Sequence, residues 1–388
     1  MMTFFLIIYY FRKKEIMKKT LLLILSIFIV VSCGEEGDSV SARKEFIPDK
    51  DVYIGGYINN SSGLQIACYW KNGVRFDLGE GEVSDLVVVE GKVYAVGYNF
   101  GGNASYWVDN EQFELEGTGN AEAYAIAVHD GDVYTAGRDN GAAYWKNTKK
   151  NKLSGGDSSG YGIAVKDNGN VFVGGYYMNN HHFVIPAYWK NGARTNLSRP
   201  SGGDGEVLDV EVSNNGTMYY FGMSMAPNNM LGYLPKASYW KANGNRTDMP
   251  NGGGWQKGVY GGEGHGGYVE GGMVYVAGKV DWIAEVDDEG KDIPGTGGTY
   301  AHYWMNGTKV DLPGGVFNNY WVSTAYDIAV KAGFVVVAGD VASESQTQVP
   351  AAWVNEQLIH LEGEDTHGVA KAVYITCLLY TSPSPRDS

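Results

Sequence analysis

The sequence predicts an all-β protein, a seven-bladed β-propeller of four-stranded antiparallel blades. Three observations predict it. A Tyr-Trp dipeptide recurs along the chain, a β-branched and aromatic run that ends in glycine precedes each copy, and Asn-Gly or Asp-Gly turns separate the runs. Helical periodicity is absent beyond the N-terminal apolar segment. Units of about 40–50 residues with this pattern are typical of propeller blades.

The repeated tryptophan marks the third strand of each predicted blade, and a glycine ends the second strand. We expect the tryptophans to pack between neighbouring blades, because one residue type that recurs in every unit is what a repeating core requires. The tryptophans are Trp70, Trp107, Trp145, Trp189, Trp240, Trp304 and Trp353, and the glycines are Gly56, Gly97, Gly137, Gly175, Gly222, Gly278 and Gly339.

The two ends of the predicted propeller, 52–376, complement each other. The first unit, 52–79, lacks an innermost strand, and the segment 369–376 has the pattern of a lone innermost strand. We predict that this C-terminal strand closes the first blade, which removes a free sheet edge. Residues 377–388 do not follow the pattern of the repeats and resemble translated sequencing-adapter read-through, so we predict that they are a non-native tail. An eighth blade in a longer chain stays open.

The N-terminus has the order of a signal peptide. Met17-Lys18-Lys19 precedes the apolar run 20–32, which is too short to span a bilayer as a helix. The run ends in Val30-Val31-Ser32-Cys33, which resembles a bacterial lipobox. The resemblance implies a signal peptide over 1–33, with 1–16 as a mis-assigned start, and lipidation of Cys33 with palmitate. An ordinary secretory signal is the alternative.

The cellular location that this resemblance implies is the bacterial outer membrane, with the protein facing the periplasm or the cell surface. Gly34-Glu35-Glu36 resembles the acidic surface-export signals of Bacteroidetes lipoproteins, and 34–51 would be a flexible tether. The chain has 30 Lys and Arg against 44 Asp and Glu, for a net charge of −14. This balance excludes nucleic acid and anionic membrane as main partners, so the lipid would be the only membrane contact.

The repeat also resembles a known family. Ala67-Cys68-Tyr69-Trp70-Lys71-Asn72-Gly73, followed by Asp77-Leu78-Gly79, is similar to the bacterial extracellular repeats named for a His-Ala-Phe triplet. The similarity runs over 52–361 but departs at the triplet itself, where Tyr precedes Trp. The Val-Tyr-x-x-Gly run gives a weaker resemblance to kelch repeats. The family implies a secreted repeat protein, generally without known activity.

Catalytic and metal-binding patterns are absent from the sequence. It contains no Gly-x-Ser-x-Gly, His-Glu-x-x-His or Cys-x-x-Cys motif. We therefore predict no cofactor, no metal, no catalytic residue and a monomer. Alignment of the units places Asp85, Asp209 and Asp327 at one level of the innermost strands, with Lys371 as a further candidate. Such aspartates would bind a cation or raise one another's pKa, or they would bind water and strand-end amides, which we favour.

Long connections on one face of the predicted propeller carry the candidate ligand site. Three tryptophans lie outside the repeat and flank the sixth unit: Trp255, Trp282 and Trp321. Tyr300, Tyr320, Asp281 and Asp288 are close to them in sequence. Aromatic faces and nearby acids suit a glycan, and they also suit a peptide or protein. The alternative is that these tryptophans are buried and pack the long loops against the propeller. A non-catalytic binding module is the function we predict, with a carbohydrate-active hydrolase or lyase that uses carboxylates at the channel mouth, or a structural envelope module, as alternatives.

Overall fold

The computed structural model describes residues 50–99, 103–228, 232–250, 259–283, 285, 293, 296–317, 320–345, 348–361 and 366–377. Every regular element in these ranges is a β-strand, and there are 29 of them. The described ranges hold no helix of the length and apolar character needed to cross a membrane. The prediction of an all-β chain is confirmed.

Five separate sheets have four antiparallel strands each. The first has the order β29-β1-β2-β3, with β1 (Lys50–Asn59), β2 (Gln65–Lys71), β3 (Val74–Glu80) and β29 (Gly368–Cys377). The second and third are β4 (Glu82–Val89), β5 (Lys92–Tyr98), β6 (Ala104–Val108), β7 (Glu111–Glu114), and β8 (Glu122–His129), β9 (Asp132–Arg138), β10 (Ala142–Lys146), β11 (Lys149–Lys152). The fourth and fifth are β12 (Ser158–Val165), β13 (Val171–Met178), β14 (Val184–Lys190), β15 (Ala193–Asn196), and β16 (Gly205–Val212), β17 (Met218–Asn228), β18 (Gly232–Lys241), β19 (Arg246–Asp248).

The sixth sheet has nine strands. It contains two runs of four strands, which are joined by a short parallel pairing in which Gly298 faces Trp321. A further strand of three residues, β24, pairs with β25 in the second run. The strands are β20 (Val259–Glu270), β21 (Met273–Trp282), β22 (Gly298–Met305), β23 (Thr308–Asp311), β24 (Gly315–Phe317), β25 (Tyr320–Lys331), β26 (Phe334–Val341), β27 (Val349–Val354) and β28 (Gln357–His360).

The C-terminal strand completes the first sheet, as the sequence predicts. β29 pairs antiparallel with β1, and Ile54 faces Val373 at the centre of the pairing. The pairing extends to Lys50 and Cys377, beyond both predicted ends of the propeller segment. The predicted signal peptide, Cys33 and residues 378–388 lie outside the described residues.

Asparagines after the Tyr-Trp strands have a second role besides the turn. Asn72 adopts a φ of 50° and Gly73 a φ of 81°, as a two-residue hairpin requires. The Asn72 side chain also accepts a hydrogen bond from the N–H of Val52 at 2.8 Å, and Asn191 accepts one from Val171 at 2.9 Å. Each asparagine therefore ties the turn to the start of the preceding strand.

The seven repeat tryptophans are buried between sheets, with at most 1% of their surface exposed. The prediction of inter-sheet packing is confirmed for them. Five indoles also donate a hydrogen bond to a carbonyl of the preceding sheet, just after its last strand; Trp145 reaches Glu116 O at 2.7 Å. The other four pairs are Trp189 with Ser154, Trp240 with Ser198, Trp304 with Pro250 and Trp353 with Pro313.

One edge strand from each four-stranded sheet, together with β20 and β25 of the nine-stranded sheet, contacts its neighbours in a closed order. β4 contacts β8, and the series continues through β12, β16, β20, β25 and β29 back to β4. We call these seven the inner strands. They surround a central channel, and the tryptophan-bearing strands lie farther out in each sheet.

Candidate functional site: the channel mouth and an aromatic surface

Every inner strand has a register shift at the same level, near its start. A β-bulge of this kind re-aims one side chain. The re-aimed residues line a cavity of about 90 Å³ in the channel mouth. We call them the bulge ring: Ser84, Tyr124, Tyr161, Leu208, His265, Tyr326 and Lys371.

The glycine that ends each second strand makes room for the bulge. A Cβ atom on Gly97 would lie 1.9 Å from the carbonyl oxygen of Glu82, and one on Gly137 would lie 1.9 Å from that of Glu122. The same overlap occurs at all seven repeat glycines, at distances between 1.9 and 2.1 Å. The recurrent glycine of the sequence is therefore what allows the inner strand to bulge into the channel.

The predicted aspartate level lies directly below the bulge ring, with one correction. Lys371 is a bulge-ring residue, and the position equivalent to the aspartates is Ala372, which faces Gly55. Alignment by sequence missed this because β29 pairs with β1, at the other end of the described chain, so no strand that follows it in sequence fixes its register. Asp85, Asp209 and Asp327 all border the mouth cavity, as predicted.

Each of these aspartates joins two inner strands. Asp85 accepts hydrogen bonds from the N–H of Leu86 at 2.7 Å, on its own strand, and of Ile126 at 2.8 Å, on β8. Asp209 joins β16 to β20 through Gly267, and Asp327 joins β25 to β29 through Val373. These hydrogen bonds agree with the amide part of the favoured prediction, and the part about bound water stays a prediction.

Burial also disfavours the charged form of these three aspartates. Burial raises the pKa of Asp85 to about 7 and that of Asp209 to about 6. Burial, and then the charges of Asp209 and Asp85, raises the pKa of Asp327 well above its usual value. The three carboxylates therefore repel one another across the channel.

Glutamates stand above the bulge ring and bind several of its members. Lys371 Nζ lies 2.7 Å from Glu82 Oε1, to which the Ser84 hydroxyl also donates at 3.3 Å. The Tyr124 hydroxyl donates to Glu122. These contacts hold the polar groups of the ring in place before any ligand arrives.

His265 lies between two acceptors. Its Nδ1 is 2.8 Å from the carbonyl oxygen of Ala325 and its Nε2 is 3.4 Å from Glu263, while its ring stacks on Tyr326 with centroids 5.3 Å apart. The hydrogen bond from His265, together with Lys279 at 3.3 Å, lowers the pKa of Glu263 to about 2.

A second polar region is the predicted ligand site at β21–β25, which we call the aromatic surface: Trp282, Tyr300, Trp321 and Tyr320. The Trp282 and Tyr300 rings are 6.4 Å apart and edge-on, and Tyr300 and Trp321 are 5.7 Å apart. Asp281 accepts a hydrogen bond from Thr299 at 2.8 Å. The structure thus brings together aromatic residues that lie on three different strands.

The sequence interpretation of this region needs two corrections. Trp282 ends β21 and Trp321 lies in β25, so they are strand residues and not loop residues. The reason is Gly298: its φ is 127°, and a Cβ there would lie 2.1 Å from Trp321 O, so glycine permits the β22–β25 pairing. Trp255 and Asp288 lie outside the described residues.

Exposed apolar side chains are concentrated near the aromatic surface in sequence. Among the described residues, six large apolar side chains are exposed, and four of them fall between positions 283 and 320: Ile283 at 39%, Ile293 at 37%, Val316 at 43% and Tyr320 at 41%. Trp282, Tyr300 and Trp321 are half-buried.

Sequence reasoning missed the bulge ring. The available signal was the residue immediately before the aspartate level: it is tyrosine in three units and serine, leucine, histidine or lysine in the other four, while its neighbours are mostly small. A repeating core would repeat that residue, as it repeats the tryptophan. Variation at an equivalent position is therefore the sign of a site, and it becomes visible only once the bulge sets the alignment.

Comparison with known proteins gives a fold and no family. No protein-family model matches the chain, and no curated protein matches it in sequence. A puromycin-hydrolysing peptidase from Mycobacterium tuberculosis is similar in structure, with a TM-score of 0.51 at 11% identity over 83% of this chain. The chain spans 53% of that peptidase.

Two further solved structures are similar at lower scores. The β-propeller domain of the Trilobed protease from Pyrococcus furiosus has a TM-score of 0.46, with 11% identity over 82% of this chain and 94% of its own. An ulvan lyase of polysaccharide lyase family 25 has a TM-score of 0.44, with 10% identity over 74% of this chain and 81% of its own. At such identities only the fold is informative. The sheets and the closed order of the inner strands give this chain the β-propeller fold.

Proposed function

We propose that the propeller has seven blades and that it binds a carbohydrate through the aromatic surface. For the blade count, the support is the closed order of seven inner strands and the two four-strand runs within the nine-stranded sheet. The parallel pairing that joins those runs covers two residue pairs, Gly298 with Trp321 and Thr299 with Val322.

One observation carries the carbohydrate proposal: Trp282, Tyr300 and Trp321 meet although they come from β21, β22 and β25. Flat aromatic faces pack against the apolar face of a sugar ring, and neighbouring acids accept its hydroxyls. Asp281 supplies an acceptor beside Trp282, and Tyr320 extends the surface with 41% of its area exposed.

A glycan array probed with residues 34–377 tests this proposal. We expect binding to neutral oligosaccharides, and a loss of at least about tenfold for Trp321→Ala, since a hot-spot aromatic side chain contributes 2 kcal/mol or more. Tyr233→Ala is the control, because Tyr233 is an exposed aromatic residue on β18, outside the aromatic surface. Equal binding by wild type and Trp321→Ala, or no glycan bound, contradicts the proposal.

A carbohydrate-active enzyme is the second candidate function. The observation that favours it is that two acids whose pKa values are displaced in opposite directions, Glu263 and Asp340, both interact with His265 and Lys279. The pKa of Glu263 is lowered to about 2, whereas burial raises the pKa of Asp340 to about 7. Neither oxygen of Asp340 makes a hydrogen bond of normal geometry. Acid–base catalysis uses such pairs. Release of reducing ends from a polysaccharide panel, lost in Asp340→Asn, would support this candidate over simple binding.

For the cellular location, we propose that a lipid on Cys33 anchors the protein in the bacterial outer membrane. We also propose that the chain belongs to the extracellular repeat family that its Tyr-Trp units resemble. The lipobox-like order Val30-Val31-Ser32-Cys33 supports it. Cys33→Ala should move the protein from the membrane fraction to the soluble fraction, because one acyl-anchored residue is the only proposed attachment. Retention in the membrane fraction would contradict the anchor.

A further inference from the structure

The channel below the bulge ring contains a carboxylate without a partner. Glu211 lies on β16, two residues beyond Asp209, so the two side chains point to the same side about 7 Å apart along the strand. Glu211 makes no hydrogen bond or ion pair with any described residue. Burial, and then the charge of Asp209, raises its pKa to about 8.

Glu211 points into the channel. Besides Asp209 on its own strand, its charge acts on Tyr268 of β20 and on Tyr374 of β29. Two inner strands, β20 and β25, separate β16 from β29 in the closed order, so the interaction with Tyr374 crosses the channel. Part of the Glu211 surface is solvent-accessible although protein surrounds the carboxylate densely. A side chain inside a water-filled channel has both properties.

The mouth above it is also short of positive charge. Glu206 makes no hydrogen bond or ion pair with any described residue, and burial, then the charge of Glu263, raises its pKa. The positive groups nearby are already paired: Lys371 with Glu82 at 2.7 Å, Lys279 with Glu263 at 3.3 Å, and Arg138, whose charge acts on Tyr124 and Tyr161, with Asp157 at 3.7 Å. The carboxyl groups without a positive partner at the mouth and in the channel are therefore Glu206 and Glu211.

Tyrosine rings border the same opening. Tyr124 and Tyr161 lie with their ring centroids 4.9 Å apart, and Tyr176 lies 6.0 Å from Tyr161. The negative faces of tyrosine rings attract cations, most of all in a site that excludes bulk water. Aromatic rings at the mouth and unpaired carboxylates below them form an environment suited to an organic ammonium group.

We propose that the central channel binds an ammonium-bearing ligand, with Tyr124 and Tyr161 at the mouth and Asp209 and Glu211 as the carboxylates that receive the charge. Direct ligation of a metal ion is not favoured, since the described residues contain no group of three or more metal-ligand side chains in suitable positions. A ligand with two ammonium groups would meet Asp209 and Glu211 at once. This site is separate from the aromatic surface, so it stands or falls without the carbohydrate proposal.

Titration calorimetry with putrescine, a four-carbon diamine, and with butanediol, its uncharged analogue, tests the proposal. We expect wild type to bind putrescine and not butanediol. Glu211→Gln should weaken putrescine binding at least about tenfold. Glu114→Gln is the matched control, because it removes the same charge from an exposed position on β7 and should leave the affinity unchanged. Equal weakening by both variants would mean non-specific attraction to an acidic protein, which overturns the proposal.

A second readout needs no variant. An ammonium group beside Glu211 lowers the pKa of that carboxyl from about 8, so wild type should release protons when putrescine binds near pH 7. Asp209, Tyr268 and Tyr374 face the same carboxyl, and the two tyrosines stay protonated at that pH. Comparison of binding enthalpies in buffers of different ionisation enthalpy measures the release. Binding without proton release, or no binding of putrescine, overturns the assignment.

Discussion

Two groups of tryptophans in this protein have the same chemistry and opposite environments. The seven repeat tryptophans lie between sheets with no more than 1% of their surface exposed, and five of them donate to a carbonyl of the preceding sheet. Trp282 and Trp321 keep part of their rings in solvent and contact Tyr300. The difference is that tryptophans in register with the repeat are fully buried between sheets, whereas Trp282 and Trp321, which are out of register, are only half-buried, and our proposal assigns binding to these two.

Removal of β29 is the strongest test of the structural group, and we expect the largest effect from it. Deletion of 368–388 takes away the inner strand of the first sheet and uncovers the edge of β1. Most of the free energy of unfolding should be lost, since that strand also contacts β4 and β25. Deletion of 378–388 alone is the control and should leave the denaturant midpoint unchanged. Equal midpoints for both deletions would refute closure by β29.

Gly137→Ala should have the next largest effect. The new Cβ would lie 1.9 Å from Glu122 O, so the bulge that presents Tyr124 must move, at a cost of about 3 kcal/mol. Gly131→Ala is the matched control: its φ is 78° with open space around it, and strain alone costs about 1 kcal/mol. Urea unfolding measures both. A smaller loss for Gly137→Ala than for Gly131→Ala would contradict the role given to the repeat glycines.

The indole hydrogen bond can be isolated by comparing two equally buried tryptophans. Trp145 donates to Glu116 O at 2.7 Å, whereas the Trp107 indole N–H has no partner among the described residues. In the five hydrogen-bonded cases, the accepting carbonyl lies in the loop just after the last strand of the preceding sheet. In the sheet before Trp107 that last strand, β3, continues to Glu80, and Gly79 has a φ of 114°, so no loop carbonyl stands at the equivalent position after Leu78.

Trp145→Phe should therefore cost about 1–3 kcal/mol more than Trp107→Phe, because it alone leaves a carbonyl without its donor. Denaturant midpoints with unchanged slopes give the difference. Equal losses would show that packing, and not the hydrogen bond, fixes the sheets to one another.

The sequence predicts the repeating part of this molecule well and the site only in part. Recurrent residues such as Trp145 and Gly137 are under the same physical constraint in every sheet, so their periodicity reveals the strands and their order. The pairing of β29 with β1 follows from the missing strand of the first unit.

What depends on single positions is harder to predict. The sequence predicts Lys371 at the level of the aspartates because β29 pairs with β1, which is distant in sequence, so no neighbouring strand indicates its register. The strand conformation of Trp282 and Trp321 depends on the backbone approach at Gly298, which no local pattern in the sequence indicates. Glu211 resembles any polar strand residue until the closed order of the inner strands places it in the channel.

The central claim is that register with the repeat separates fold-stabilising tryptophans from binding ones. Trp282 and Trp304 test it most directly, because they lie on the paired strands β21 and β22 of one sheet. Each is changed to Ala, and the unfolding free energy and the affinity for an array-selected glycan are measured together. We expect Trp304→Ala to cost about 3–5 kcal/mol, and Trp282→Ala less than about 1.5 kcal/mol with at least about tenfold weaker binding. A large loss of stability with unchanged binding in Trp282→Ala would contradict the account.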